Sequence, residues 1–161
     1  MDRSTSREAE YQKLKFTFRS IAQEVYLSLV ISSSQLSYEV DVLMRKHGLT
    51  QPQYNVLRIL RGAGRDGLGR NEVRERLVTT MPDVTRLLDR MEASGLILRK
   101  QCEVDRRQTK TTLTEAGGKL VRKLDIPLDK LHQKHTDGIE ESELKRMLAV
   151  LSRLRANADT Q

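Results

Sequence analysis

An aspartate and two arginines stand together as Asp105, Arg106 and Arg107, inside the run KQCEVDRRQTKTTLTEAGG from Lys100 to Gly118. Polar and small apolar residues alternate through this run. Alternation over so short a span suits a half-exposed β-ribbon, because successive side chains on a strand face opposite ways. A ribbon tip is narrow enough to enter a DNA minor groove. Arginine there meets the enhanced negative potential of a narrow, A·T-rich groove. Asp105 can hold the Arg107 guanidinium through a charge-assisted hydrogen bond, which limits the side-chain entropy lost on binding. Taken alone, the same residues fit a solvated turn with a surface ion pair worth about 0–1 kcal/mol.

The stretch before the ribbon, TTMPDVTRLLDRMEASG (residues 79–95), decides between these readings. Thr80 is expected to cap a helix, with Pro82 in its first turn and Asp83 at its third position. Val84, Leu87, Leu88 and Met91 form one apolar stripe, which leaves Met81, Thr85, Arg86 and Asp89 pointing elsewhere. A helix fits the major groove, where an arginine can contact guanine through two hydrogen bonds, and Arg86 is the candidate. Thr79, Thr80 and Thr85 can donate hydroxyls to phosphates or base edges. A helix N-terminus also favours a phosphate. Asp83 would repel one, so its expected role is the cap, with acceptance from a cytosine amino group as the alternative. An ordinary solvated face is the competing account of the whole set.

These residues need elements to position them. Apolar spacing predicts a helix from about Tyr11 to His47, with a possible break at Ser32 to Ser34, ended by Gly48. Thr50 and Gln53 then form a capping box, with Pro52 in the first turn of a helix that buries Tyr54 and Leu57. A glycine-rich connector, GAGRDGLG, leads to a short helix over about 70–77. After the 80–95 helix come two strands, LILRKQ and QTKTTLT, and a helix capped by Thr114. A last helix carries Leu144, Met147, Leu148, Leu151 and Leu154 on one side. The predicted fold class is mostly α with a small β-hairpin wing: a winged helix-turn-helix lobe plus a helical layer from both ends of the chain. Residues 1–10 read as a disordered N-terminus, 11–48 and 115–158 as the helical dimerisation region, and 49–114 as the winged helix-turn-helix. The apolar stripes of the outer helices have no cover within one small lobe, and a second copy related by two-fold symmetry is the expected cover.

Bulk properties agree. The formal net charge is +7 and the sequence pI about 9.8, which suggests a polyanionic partner. With hydrophobic residues at 37% and aromatics at 4%, the core must be mostly aliphatic. A single cysteine cannot close an internal disulfide, which fits a reducing compartment. The first residues, MDRSTSREAEYQK, carry charge where a signal peptide needs an apolar run. No apolar stretch approaches the roughly 20 residues that cross a bilayer. The expected protein is therefore soluble and cytoplasmic, with no membrane partner.

The runs LTQPQYNVLRIL, VTRLLDRMEASGLILRK and DRRQTKTTLTEAG together resemble the multiple-antibiotic-resistance regulator (MarR) family of bacterial repressors, in order from about Leu36 to Leu154. That resemblance implies a dimer whose terminal helices interleave and whose two lobes bind a pseudo-palindromic duplex. It makes the helix from Thr80 the recognition helix and Asp105 with Arg107 the wing pair. It also implies a small-molecule effector in a crevice between the dimerisation helices and the DNA-binding lobe. Two residues depart from the family pattern. Gly69 stands where a hydroxyl cap is usual, and Arg74 where a small apolar residue is usual. Arg74 is either an added phosphate contact or a side chain reaching to solvent. Lys100, Arg99, Arg106 and Lys110 are expected mainly to neutralise phosphates.

Cys102 and two histidines offer further chemistry. Some relatives sense oxidants through a cysteine in the first helix, and this chain has none there. Cys102 lies beside Lys100 and Arg99, which can lower a thiol pKa, but also beside Glu103, which opposes that. His132 and His135, three apart on one helix, could both reach a metal, with His47, Asp129 or Glu39 as further ligands. A bland strand cysteine and a solvated histidine pair are the preferred readings, so neither a metal nor another cofactor is expected. The spaced glycines of GAGRDGLG lack the lysine and hydroxyl residue of a phosphate-binding loop. No catalytic constellation stands out, and the chain is read as a regulator rather than an enzyme. The expected partners are double-stranded DNA, a second copy of the chain and a small-molecule effector. The rival class is a winged helix that docks an acidic protein through its basic hairpin.

Overall fold

The computed structural model of the chain describes residues 17–79, 82–101 and 109–158. Contacts divide the chain into two units, Met1–Glu39 and Val40–Gln161. Helix α1, Ile21–Arg45, carries residues of both. Its start is later than the apolar spacing suggests, for residues 17–20 are not helical. Ser20 accounts for this. Its Oγ accepts the Gln23 N–H at 3.2 Å, while the Arg19 N–H donates to Gln23 Oε1 at 2.7 Å, so side chains supply partners that the first turn lacks. Residues 1–16, with the expected disordered segment, lie outside the described residues. α1 passes unbroken through Ser32, Ser33 and Ser34. All three are exposed, and a serine lowers helix propensity by at most about 0.7 kcal/mol.

Within Val40–Gln161, α1 ends at a turn where Gly48 adopts φ 70° and the Leu49 N–H donates to the Met44 carbonyl at 3.1 Å. Thr50 and Gln53 form the expected capping box for α2, Gln51–Ala63, whose Tyr54, Val56, Leu57 and Leu60 are buried. A 3-10 turn, Gly64–Asp66, follows. Helix α3 is Arg70–Arg76, with Val73 buried. Helix α4 is Val84–Ala93, and its buried residues are the predicted stripe of Val84, Leu87, Leu88 and Met91.

Strands β1, Ile97–Gln101, and β2, Thr109–Leu113, pair antiparallel, with Arg99 opposite Thr111 and Lys100 opposite Lys110. The glycine-rich connector does more than connect. Leu68 makes an antiparallel bridge to Thr111, with N–H···O distances of 3.0 and 2.8 Å. Gly67 permits that approach, because it holds φ 62° and a Cβ there would lie 2.6 Å from the Thr111 carbonyl oxygen. Thr114 caps helix α5, Glu115–Thr136, by accepting the Gly117 N–H at 3.0 Å. Arg61 Nη1 on α2 donates to both Asp125 oxygens on α5, at 2.9 and 2.7 Å, and this pairing raises the Arg61 pKa.

The core of this unit joins Leu57 and Leu60 of α2, Leu88 and Met91 of α4, Ile97 of β1 and Leu124 of α5. It is aliphatic, as the composition requires. Helix α6, Glu141–Ala158, buries no residue. A mostly helical fold carrying one two-stranded hairpin is the architecture the sequence predicts. Among the described residues no helix is long and apolar enough to cross a membrane.

Candidate nucleic-acid interface

The start of α4 corrects the sequence reading: the helix begins at Val84 with Asp83 as its N-cap, so Pro82 is not in its first turn, and Thr80, the expected cap, lies outside the described residues. Asp83 Oδ1 accepts the Arg86 N–H at 2.9 Å, and Asp83 Oδ2 lies 3.2 Å from Arg86 Nε. One carboxylate thus caps the helix and steadies the candidate base-reading side chain. Capping is the role that the sequence reading preferred for Asp83. The Arg86 side chain is 81% exposed. Thr85 is also exposed.

Thr85 borders a cleft of about 960 Å³ that Arg70, Asn71, Arg99 and Lys110 also line. The cations around it are not equivalent. Arg99 Nη2 lies 2.6 Å from Glu92 Oε2 and 2.7 Å from Asp89 Oδ1. Arg99 Nε and the Arg99 backbone N–H donate to the two Glu92 oxygens at 2.8 and 2.9 Å. Lys110 Nζ donates to Glu72 Oε2 at 2.9 Å, and that oxygen also accepts the Gly69 N–H at 2.7 Å. Glu72 therefore supplies the α3 cap that Gly69 cannot. The Gly69 N–H and then the Lys110 ammonium lower the Glu72 pKa. Arg99 lowers that of Glu92 through its side chain and then its backbone, and Glu92 in turn raises that of Arg99. The expectation that Arg99 and Lys110 chiefly neutralise phosphates is thus not matched by open side chains.

Other cations are available. Arg74 is exposed on α3, as are Arg70 at its first position and Lys100 on β1, and no carboxylate lies within 4.0 Å of any of them among the described residues. Arg70 was not singled out by sequence. Its signal was present, since a cation at the first position of a helix opposes the positive end of the helix dipole. Val78 was missed too. It is 85% exposed in the turn before α4, beside the exposed Thr79. Thr80, Met81, Cys102, Asp105, Arg106 and Arg107 lie outside the described residues.

His132 and His135 sit on α5 with ring centroids 6.2 Å apart in an edge-on arrangement. Among the described residues no group of three or more His, Cys, Asp or Glu side chains is placed to hold a metal ion. A second cleft, about 670 Å³, lies between the end of α2, the end of β2 and the start of α5. Leu60 and Leu113 line it, and Arg61, Arg65 and Arg122 border it.

Helices α2, α3 and α4 followed directly by the β1–β2 hairpin define a winged helix-turn-helix lobe. The MarR family model matches residues 49–109, which cover this lobe as far as the start of β2. The chain is 32% identical over 138 residues to an organic hydroperoxide resistance transcriptional regulator of Bacillus subtilis (strain 168), covering 85% of this chain and 92% of that one. The chain belongs to the MarR family of transcriptional regulators. Among solved structures it is similar to a MarR transcription factor from Planctomyces limnophilus, at 31% identity and TM-score 0.65 over 84% of this chain and 98% of that one. It is also similar to S. aureus MepR, solved as a DNA complex, at 28% identity and TM-score 0.74 over 89% and 99%.

Proposed function

We propose that this protein is a homodimeric, sequence-specific DNA-binding regulator of the cytoplasm, acting as a ligand-responsive repressor on a pseudo-palindromic operator. The observation that carries the reading is α4 itself. Its apolar stripe is wholly buried while Thr85 and an Asp83-steadied Arg86 face solvent. Two such helices enter successive major grooves about 10 bp apart. Arg86 reads a guanine, Thr79, Thr80 and Thr85 contact phosphates or base edges, and Val78 and Met81 offer apolar surface to a thymine methyl. Arg70, Arg74 and Lys100 neutralise backbone phosphates, joined by Arg106. Asp105 orients Arg107 in the flanking minor groove. That the similar S. aureus MepR was solved as a DNA complex supports DNA binding by relationship.

Dimerisation is supported by apolar side chains that remain exposed on the outer helices, among them Ile126, Met147 and Leu148. The α2–α5 cleft is a candidate effector site, as it joins the DNA-binding lobe to one of those helices. An effector there releases DNA only if it binds the DNA-free geometry more tightly than the bound one.

The test is fluorescence anisotropy with the DNA upstream of the protein's own reading frame, across a salt series. Each phosphate neutralised contributes roughly −0.9 to the slope of log affinity against log salt, so binding is expected to weaken steeply. Arg86→Ala is expected to cost about 1–3 kcal/mol and relax one base position. Wild-type affinity in that variant would remove α4 from the major groove.

A further inference from the structure

Resting on the DNA-binding reading above, we infer that Glu72, Asp89 and Glu92 form a pair of carboxylate clamps that fix the wing to the helix-turn-helix, and that Arg99 and Lys110 are positioning residues rather than phosphate contacts. The two strands of the wing are held separately. On β1, Arg99 meets Asp89 and Glu92 with its guanidinium and meets Glu92 again with its backbone N–H, all contacts falling between 2.6 and 2.9 Å. On β2, Lys110 meets Glu72 at 2.9 Å, while the same oxygen ties down the N-terminus of α3 through the Gly69 N–H. The β1 clamp therefore ends on the recognition helix and the β2 clamp on the helix before it.

Carboxylates beside a polyanion are electrostatically costly, and three of them line the lobe that faces DNA. Their presence has a mechanical account. A hairpin of two five-residue strands is pliant by itself, yet a wing must reach one minor groove while α4 occupies the neighbouring major groove. The clamps make strand and helix one rigid body, so the angle between the two contacts is set before DNA arrives. Lys100 and Lys110 stand opposite each other in the ladder, where like charges repel. Drawing Lys110 onto Glu72 relieves that conflict and leaves Lys100 for phosphate.

The two possible roles predict opposite signs. If Lys110 and Arg99 were phosphate contacts, removing Glu72 or Glu92 would free them and tighten DNA binding. If they are clamps, removing the carboxylate loosens the wing and weakens binding. The experiment uses a duplex selected from random sequence by the wild-type protein, with affinities measured across a salt series. Helicity of each variant is checked by circular dichroism. Glu72→Ala and Glu92→Ala are each expected to bind about tenfold more weakly, mid-range for members of one interacting network. Glu72→Gln, which can still accept the Gly69 N–H, should fall between Glu72→Ala and wild type. It carries the test if the alanine variant does not fold. Lys110→Met should weaken binding without changing the salt slope. Hydroxyl-radical protection of the flanking minor grooves should be lost while methylation protection of guanines under α4 persists. Equal or tighter binding by the Glu72 and Glu92 variants would overturn the clamps. So would a slope reduced by about 0.9 per subunit in Lys110→Met, the signature of a lost phosphate contact. A wild-type protein that selects no duplex removes the DNA-binding reading itself, an outcome distinct from either of these.

Discussion

Helices α4 and α6 carry the same kind of apolar stripe and meet opposite fates. In α4, Val84, Leu87, Leu88 and Met91 are all buried in the core, and the helix packs on β1 and α3. In α6, Leu144, Met147, Leu148, Leu151 and Leu154 recur at equivalent spacing, yet no residue of the helix is buried. Periodicity states that a helix has a face to hide and is silent on what hides it. For α4 the cover is the same lobe. For α6 the cover proposed here is a second copy of the chain, because an apolar stripe left in water costs free energy in proportion to its area.

That contrast can be broken most directly at its buried end. Leu88 is 1% exposed, so Leu88→Ala is expected to lower the unfolding free energy by about 2–5 kcal/mol in urea titrations. A smaller loss would mean that the lobe collapses readily around the cavity. The exposed end is sharpened by Met147→Glu with Leu148→Glu. The pair should weaken self-association by on the order of a hundredfold, because central apolar contacts dominate such interfaces and a buried unpaired charge is costly. Sedimentation would read the dimer, and circular dichroism would show the helices retained. An unchanged mass would assign the α6 stripe to some other contact.

The smallest expected effect lies in the clamps. Glu72 and Glu92 have folded-state pKa values below their ordinary ones. A depressed carboxylate contributes stability that is present above its unfolded pKa and is lost as pH falls through the folded value. The lobe should therefore lose stability in acid, beginning near the ordinary glutamate pKa of about 4.3 and continuing below it. The Glu72→Gln, Glu92→Gln double variant should show a flatter acid limb in urea midpoints measured against pH. The difference should be modest, since both carboxylates are substantially solvated.

Much of the lobe was legible because its signals are local. The Thr50–Gln53 box, the Thr114 cap, the glycine at 48 and the alternation of the hairpin strands each depend on residues a few positions apart. The start of α4 was misjudged for the same reason. Thr80 and Asp83 are both good capping types three residues apart, and what separates them is that Asp83 holds the Arg86 N–H. The Leu68 bridge went unseen because a single paired residue has no periodicity to read. Of the residues that the sequence proposes for DNA contact, Arg86, Thr85 and Arg74 stand exposed. Arg70 and Val78 were passed over, since an exposed cation or valine looks ordinary until its surroundings are known.

The sequence alone determined the order of helices and strands, the caps of α2 and α5, the stripe that α4 would bury and the family to which the chain belongs. It also set the number of cations near the hairpin. Only the tertiary structure decided which of those cations are open to a partner. Lys110 meets Glu72 across 38 positions, and Arg99 meets Glu92 across seven. Pairings of that kind obey no helical or strand spacing. They exist because the fold brings two helices and two strands to one place, and there charge is satisfied by whichever opposite group is nearest in space.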